Sequence, residues 1–255
     1  MLDDQHVSRW PCGVLGPRGA EDAGIGESST MSMQCLVTPF SSLMVHLRFL
    51  QVQQSAVHGN AVERELAFEL SPFDLEAGGT VLPVVVEGGA IDDLQDQDEA
   101  RVVRRWPLTA EMRAAVVPSD GCMRLDITLL NLHAGCTHAM DATRHSLIGT
   151  HLIIEAHDAE FISLLQPPEE LAAPAAACSQ HRLWPVLGGE TGDTDVLLGL
   201  PISLDDHPDI AARSWSATAA ARSSPSVSAE QAWPVLADIR DVEPPSAGAD
   251  ITSRP

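Results

Sequence analysis

The residues best suited to chemistry lie together in one short segment, His133-Ala-Gly-Cys136-Thr-His138. Imidazole nitrogen and thiolate sulfur are the ligands that zinc, nickel and copper take, and a loop can fold three such side chains onto one ion. The spacing matches no known zinc signature, so an ordinary solvated loop is the competing interpretation. The sequence therefore predicts a protein without a cofactor, with a zinc or nickel site at His133, Cys136 and His138 as the alternative.

No motif in the sequence indicates catalysis. A G-x-S-x-G nucleophile elbow is absent, and serine, histidine and aspartate residues scattered along any chain can be combined into a triad on paper. Cys136 and Cys178 could act as nucleophiles beside a histidine, but a reactive thiolate needs positive surroundings that so acidic a chain supplies poorly. We therefore predict no catalytic residues.

The elements that must position this segment have mainly strand character. Apolar residues recur with a period of two over residues 43–50 and 125–129, as in strands with one buried face. Prolines and then acids at Pro167-Pro168-Glu169-Glu170 indicate a helix start, which Pro174 should kink or delay. The predicted fold class is α+β and mostly β: antiparallel, sandwich-like sheets with one short helix, residues 168–179, packed on them.

Less regular segments also give local predictions. Pro83 cannot donate a ladder hydrogen bond, so the apolar run 81–86 is expected at a sheet edge or after the proline. The many acids of residues 87–99 favour a solvated loop. Residues 109–115 favour one helical turn, and residues 157–160 suit a hairpin turn between two strands.

Composition and charge exclude several classes of function. The chain has 255 residues, enough for one sizeable core or two small ones, and a formal net charge of −21. That charge argues against nucleic acid and anionic membranes as partners, because both are bound through Lys and Arg. The sequence has no apolar run of about 18 residues, which is the length that a helix needs to span a bilayer. Scattered cysteines and the lack of a signal-peptide pattern predict a cytoplasmic protein.

Changes of composition along the chain predict three regions. Residues 1–36 are rich in Gly, Ser and acids without a clear apolar period, which predicts a disordered extension. Residues 37–210 contain the periodic segments and are predicted to form a single β-rich domain. Residues 211–255 are rich in Ala, Ser and Pro, which predicts a disordered tail.

The order of motifs over residues 146–211 reads SL, GTH, an apolar strand, F-x-SLL-x-PPEE, an Ala-rich helix, WPVL-G-E-G, DVLL, P-I and DHP-x-IA. This order resembles uncharacterised bacterial proteins associated with the gene neighbourhoods of nickel-iron hydrogenases. The resemblance implies a protein partner such as a hydrogenase subunit, and it implies no catalytic residues. In such proteins an acidic segment and an apolar strand follow, whereas Ala211 is followed here by an Ala- and Ser-rich sequence. We therefore consider a change of reading frame after Ala211 as a hypothesis.

These observations together predict a cytosolic, non-catalytic binding or accessory protein that assists hydrogenase assembly or regulation. The first alternative is a small metal-dependent enzyme that uses His133, Cys136 and His138. The second alternative is the product of a decayed or misassigned gene, without activity.

Overall fold

The computed structural model describes residues 13–54, 59–76, 78–93, 101–119, 121–191 and 193–202. Residues 1–12 and the segment 203–255, which contains the whole predicted tail, therefore lie outside the described residues. The strands are β1 Thr30–Val37, β2 Ser42–Gln54, β3 Gly59–Leu70, β4 Thr80–Val86, β5 Gly89–Asp93, β6 Arg101–Arg105, β7 Leu108–Ser119, β8 Cys122–Asn131, β9 Ile148–His157, β10 Phe161–Ile162, β11 Gln180–His181, β12 Leu183–Thr191 and β13 Thr194–Pro201. The helices are α1 Pro72–Glu76, α2 Ala139–Arg144 and α3 Ala172–Ala177, with a 3-10 turn at Glu169–Leu171.

The strands form two antiparallel sheets, which confirms the predicted mostly β, α+β fold class. The first sheet has the order β10-β1-β8-β7-β4, with β11 also paired to β1. The second has the order β12-β13-β9-β2-β6-β5, with β3 also paired to β2. None of the helices in the described ranges is long and apolar enough to cross a bilayer.

One apolar core joins the two sheets. Alternate residues of β1, β7 and β8 are buried, as the burial of Met33, Met112 and Leu125 shows. The same core cluster contains Leu47 of β2 and Ile154 of β9 from the second sheet. Each large aliphatic side chain that is fully buried stabilises the fold by about 1.5–3 kcal/mol. The period of two in the sequence thus places two apolar faces against each other, as in a sandwich.

The edge strand and the helix predicted within residues 168–179 also agree with the sequence, whereas the helices α1 and α2 were not predicted. β4 is the last strand of the first sheet, with Pro83 opposite Glu111 of β7. The α-helix of the 168–179 segment begins only at Ala172, which leaves Pro174 in the first turn, where no intrahelical N–H is needed. Ala175 packs against Leu36 of β1.

Three local predictions are wrong. Residues 109–115 belong to β7, because the alternation Leu108, Ala110, Met112, Ala114 buries one face of a strand. Residues 157–160 do not close a hairpin, since β9 lies in the second sheet whereas β10 pairs with β1 in the first. Within the acidic segment 87–99, Gly89–Asp93 form β5 and pair with β6, and residues 94–100 lie outside the described part.

The predicted disorder of residues 1–36 is corrected from residue 13 onward. Thr30–Val37 form β1, which pairs with β8 on one side and β10 on the other. Met31 and Met33 of β1 are buried in the core, as is Leu15, which is anchored by an isolated bridge to Leu147. The sequence before β1 lacks a period because this chain segment is irregular, and its order comes from contacts that are distant in sequence.

Replacement of Met33 tests whether this segment belongs to the core. Because Met33 is buried, with the end of its side chain against Gly199 of β13 in the second sheet, Met33→Ala should lower the free energy of unfolding by about 2–4 kcal/mol. Ser32→Ala, a neighbouring change on the partly buried face of β1, should stay within about 0.5 kcal/mol. Urea unfolding followed by circular dichroism measures both. Equal, negligible effects would mean that β1 does not contribute to the core.

Candidate metal centre

Three potential ligand residues converge at one end of the sandwich. The side chains of His133, Cys136 and His145 each offer one donor atom, and these donor atoms lie within 4.8 Å of one another. His145 is only 8% exposed, and the other two are partly buried. His133 and Cys136 belong to the loop after β8, whereas His145 immediately follows α2. A short loop–helix unit therefore supplies all three donors.

His138, the third residue of the predicted ligand set, has a different position. It is the N-cap residue of α2, and its Nδ1 accepts a hydrogen bond of 3.1 Å from the backbone N–H of Asp141. The N-cap bond satisfies one of the unpaired N–H groups at the start of the helix. The structure thus brings His133 and Cys136 together as predicted, and adds His145 in place of His138. His145 was not predicted as a ligand from the sequence, because α2 separates it from the loop.

The imidazole of His145 is oriented by its own helix. Its Nδ1 lies 3.0 Å from the backbone carbonyl oxygen of Asp141, and 3.7 Å from the Asp141 carboxylate. Because a carbonyl oxygen can only accept, we assign the proton of the neutral ring to Nδ1, which leaves the lone pair of Nε2 available. Metal-binding histidines generally donate their second ring N–H in this way, which fixes the tautomer and ring orientation.

The buried side chain of Asn131 connects the segments that carry the donors. Its Nδ2 donates to the carbonyl oxygens of His145 at 2.7 Å and of Leu15 at 3.0 Å, and its Oδ1 accepts from the backbone N–H of His133 at 3.0 Å. Arg18 adds a backbone hydrogen bond of 2.8 Å to the carbonyl oxygen of His133. Asn131 is fully inaccessible to solvent, so these bonds are not exchanged with water.

The two imidazoles stack on each other in the structure. Their centroids are 3.7 Å apart and their planes differ by 6°. The nitrogen lone pairs of two parallel rings lie in parallel planes and do not point at a common position. One ring must therefore rotate before both nitrogens can bind the same ion. Around tetrahedral zinc, neighbouring nitrogen and sulfur ligands lie about 3.5 Å apart, given bonds of about 2.0–2.3 Å. A modest rotation of the His133 ring, which brings the donor atoms about 1 Å closer than the present limit of 4.8 Å, would make that geometry.

The electrostatics keep the thiol protonated and the His133 imidazole neutral. Burial, the Asp141 charge and a hydrogen bond to the Asp141 carboxylate raise the pKa of Cys136. Burial and, secondarily, the nearby His145 lower the pKa of His133. A raised thiol pKa removes the thiolate that nucleophilic catalysis at neutral pH needs. The same shift opposes coordination at neutral pH to the extent that a bound cation must displace the thiol proton, and the charge of that cation would offset the repulsion between thiolate and carboxylate.

Three other histidines on strands, His46 of β2 and His151 and His157 of β9, have partners of their own. His46 lies 2.8 Å from Glu65, His151 lies 2.8 Å from the carbonyl oxygen of Gly149, and His157 lies 3.2 Å from Thr194. Burial lowers the pKa of His151. Hydrogen bonds on strands account for these three residues.

The sequence matches no model of a known protein family and no curated protein. The interpretation of the centre therefore depends on its own geometry.

Replacement of Asn131 tests whether it holds the centre together. Asn131→Asp keeps the shape and the acceptor for His133, but it removes both donors and places a carboxylate beside two carbonyl oxygens. We expect a loss of about 2–4 kcal/mol in the free energy of unfolding at pH 7. The new carboxyl should have a raised folded-state pKa, so the loss should shrink as the pH falls toward that pKa. Urea unfolding at pH 5 and pH 7 measures this, and a loss below about 0.5 kcal/mol at both would contradict the assigned role.

Proposed function

We propose that this protein binds one transition-metal ion, zinc or nickel, through His133, Cys136 and His145, and that it acts as a non-catalytic accessory protein. The observation that carries the proposal is the convergence of the three donors within 4.8 Å. Two imidazoles and one thiolate form a donor set that suits zinc and nickel, and calcium and magnesium prefer oxygen ligands instead. The orientation of His145 by the Asp141 carbonyl supports the proposal, because it exposes Nε2 for coordination.

The proposed setting is the cytoplasm, with a hydrogenase subunit as partner. Free thiols at Cys35, Cys136 and Cys178 fit a reducing compartment. The support for a hydrogenase partner is the resemblance over residues 146–211. Purification of the tagged protein from bacteria grown with hydrogen tests it, with the protein from cells grown without hydrogen as control. Recovery of a hydrogenase subunit only from the first culture supports the partner, and recovery of none in either culture contradicts it.

A metal-dependent enzyme is the second candidate, and two features favour it. Three protein ligands leave one position of a tetrahedral ion open, as in catalytic zinc sites. A recess also borders His145. Both candidates share the same metal centre, so metal binding is the first property to measure.

Metal content separates the observed donor set from the set predicted by sequence. The purified chain, loaded with zinc or nickel and desalted, should retain about one ion per chain. His133→Ala and His145→Ala should each weaken binding by at least about 100-fold, because each removes a ligand. His138→Ala is the matched control and should retain the ion, since His138 caps α2. Mass spectrometry of the metal and competition with a chromophoric chelator measure these values. Background metal in the unmodified chain, or equal losses in all three variants, would contradict the proposal.

Metal affinity should also rise with pH. The raised pKa of Cys136 keeps the thiol protonated between pH 6 and pH 8, so binding must release that proton. His133, whose pKa is lowered, is already neutral at pH 7 and releases no further proton above it. We expect the association constant to increase about tenfold per pH unit over this range, and to level off above the thiol pKa. Cys136→Ser should bind more weakly with a flatter profile. An affinity that does not change with pH in the unmodified chain would exclude thiolate as a ligand.

A further inference from the structure

A recess lies beside His145. Of the three proposed metal ligands only His145 lines it, and its other lining residues belong to a different part of the chain. It has a volume of about 710 Å³ and is lined by Gly88, Gly89, Arg104, Arg105, Trp106, Pro107 and His145. It lies where the ends of β5 and β6 pair, at Gly89 and Arg105, next to the turn into β7. The volume is in the range of sites that hold small organic molecules.

Arginine side chains concentrate at this recess. Arg104 and Arg105 line it, and the guanidinium carbons of Arg104 and Arg144 lie 4.7 Å and 4.6 Å from the centre of the Trp106 ring. None of these three arginines forms an ion pair with a carboxylate among the side chains that the structure describes, which do not include those of residues 90–103. In a chain with a net charge of −21, a positive group of this kind is a local exception. Its charge favours an anion.

Unpaired donors and a repulsion between two guanidinium groups lie next to the recess. The Nε of Arg105 and the Nε1 of Trp106 are buried and have no hydrogen-bond partner in the described part of the chain. Both atoms are almost inaccessible to solvent, so a ligand in the recess can reach Arg105 only through its terminal guanidinium nitrogens. Arg105 also lies near Arg64, and burial together with the Arg105 charge lowers the pKa of Arg64. An anion beside Arg105 would offset this repulsion.

Trp106 is held in place before any ligand arrives. Its backbone carbonyl oxygen accepts a hydrogen bond of 2.8 Å from Nε2 of Gln51, which is fully buried, and Oε1 of Gln51 accepts from Nε of Arg64 at 3.1 Å. The indole ring contacts His145 edge-on, with centroids 6.3 Å apart. The recess is therefore largely preorganised, which reduces the entropy lost when a ligand binds.

We propose that this recess binds a small organic anion, whose carboxylate or phosphate oxygens face the guanidinium groups of Arg104 and Arg105. Guanidinium groups match the geometry of both kinds of oxyanion with paired N–H donors. The apolar body of the ligand would lie against Pro107 and the backbone of Gly88 and Gly89. This ligand class does not depend on the metal proposed above, although His145 belongs to both sites.

The test uses metal-free full-length protein, from which the chelator has been removed by desalting, because a chelator is itself an anion. Inorganic phosphate and benzoate are titrated separately at constant ionic strength, and the indole N–H resonance of Trp106 is followed by NMR. Trp106→Phe assigns that resonance. We expect a saturable shift with at least one of the two probes. Saturation by phosphate alone identifies phosphate ligands, and saturation by benzoate identifies carboxylates.

Matched arginine variants locate the binding. Arg104→Gln, at an exposed position that should not disturb folding, and Arg105→Gln should each raise the dissociation constant about tenfold or more. Arg113→Gln removes the same charge from β7 at a site that pairs with Glu111, and should change the constant less than about twofold. A shift that does not saturate with either probe, or equal effects of Arg104→Gln and Arg113→Gln, would overturn the proposal. Because no metal is present, this result is independent of the metal-binding measurement.

Discussion

The candidate metal centre depends on the hydrogen bonds that the amide side chain of Asn131 makes. This side chain lies at the end of β8, fully buried, and its hydrogen bonds join the loop at His133, the end of α2 at His145 and the N-terminal segment at Leu15. Each bond left unmade in this dry position would cost about 1–3 kcal/mol. The three segments are therefore held together as a set. Their common attachment to the rim of the first sheet fixes the separation of His133 and His145.

Much of the fold could be predicted from the sequence, because a period of two residues in hydrophobicity directly reports a strand with one buried face. This pattern located β2 and β8. It failed where the buried residues are small, as in β7, where alanines alternate with polar residues. It also failed at β1, whose buried face of Met31, Met33 and Cys35 is short and follows an irregular, Gly-rich segment. The crossing between sheets after β9 has no local signal, since it is decided by pairing with β1.

The candidate centre was only partly predictable. His133 and Cys136 are close in sequence and in one loop, so their types and spacing were sufficient to propose them. His145 lies beside them because the short helix α2 and the hydrogen bonds of Asn131 bring it back to the loop. No sequence pattern predicts this contact. His138 has the right chemistry, yet its ring is used at the N-cap of α2. The recess at Trp106 was also missed, because its lining combines residues 104–107 with Gly88 and Gly89 at the start of β5 and with His145 after α2.

X-ray absorption spectroscopy of the zinc- or nickel-loaded protein tests the central claim most directly, since it identifies the atoms bound to the ion. For zinc, we predict one sulfur ligand at about 2.3 Å and two imidazole nitrogens at about 2.0–2.1 Å. The sulfur signal should disappear in Cys136→Ser, and one imidazole should disappear in His145→Ala. A coordination shell of oxygen atoms alone, or a spectrum unchanged in both variants, would contradict coordination by His133, Cys136 and His145.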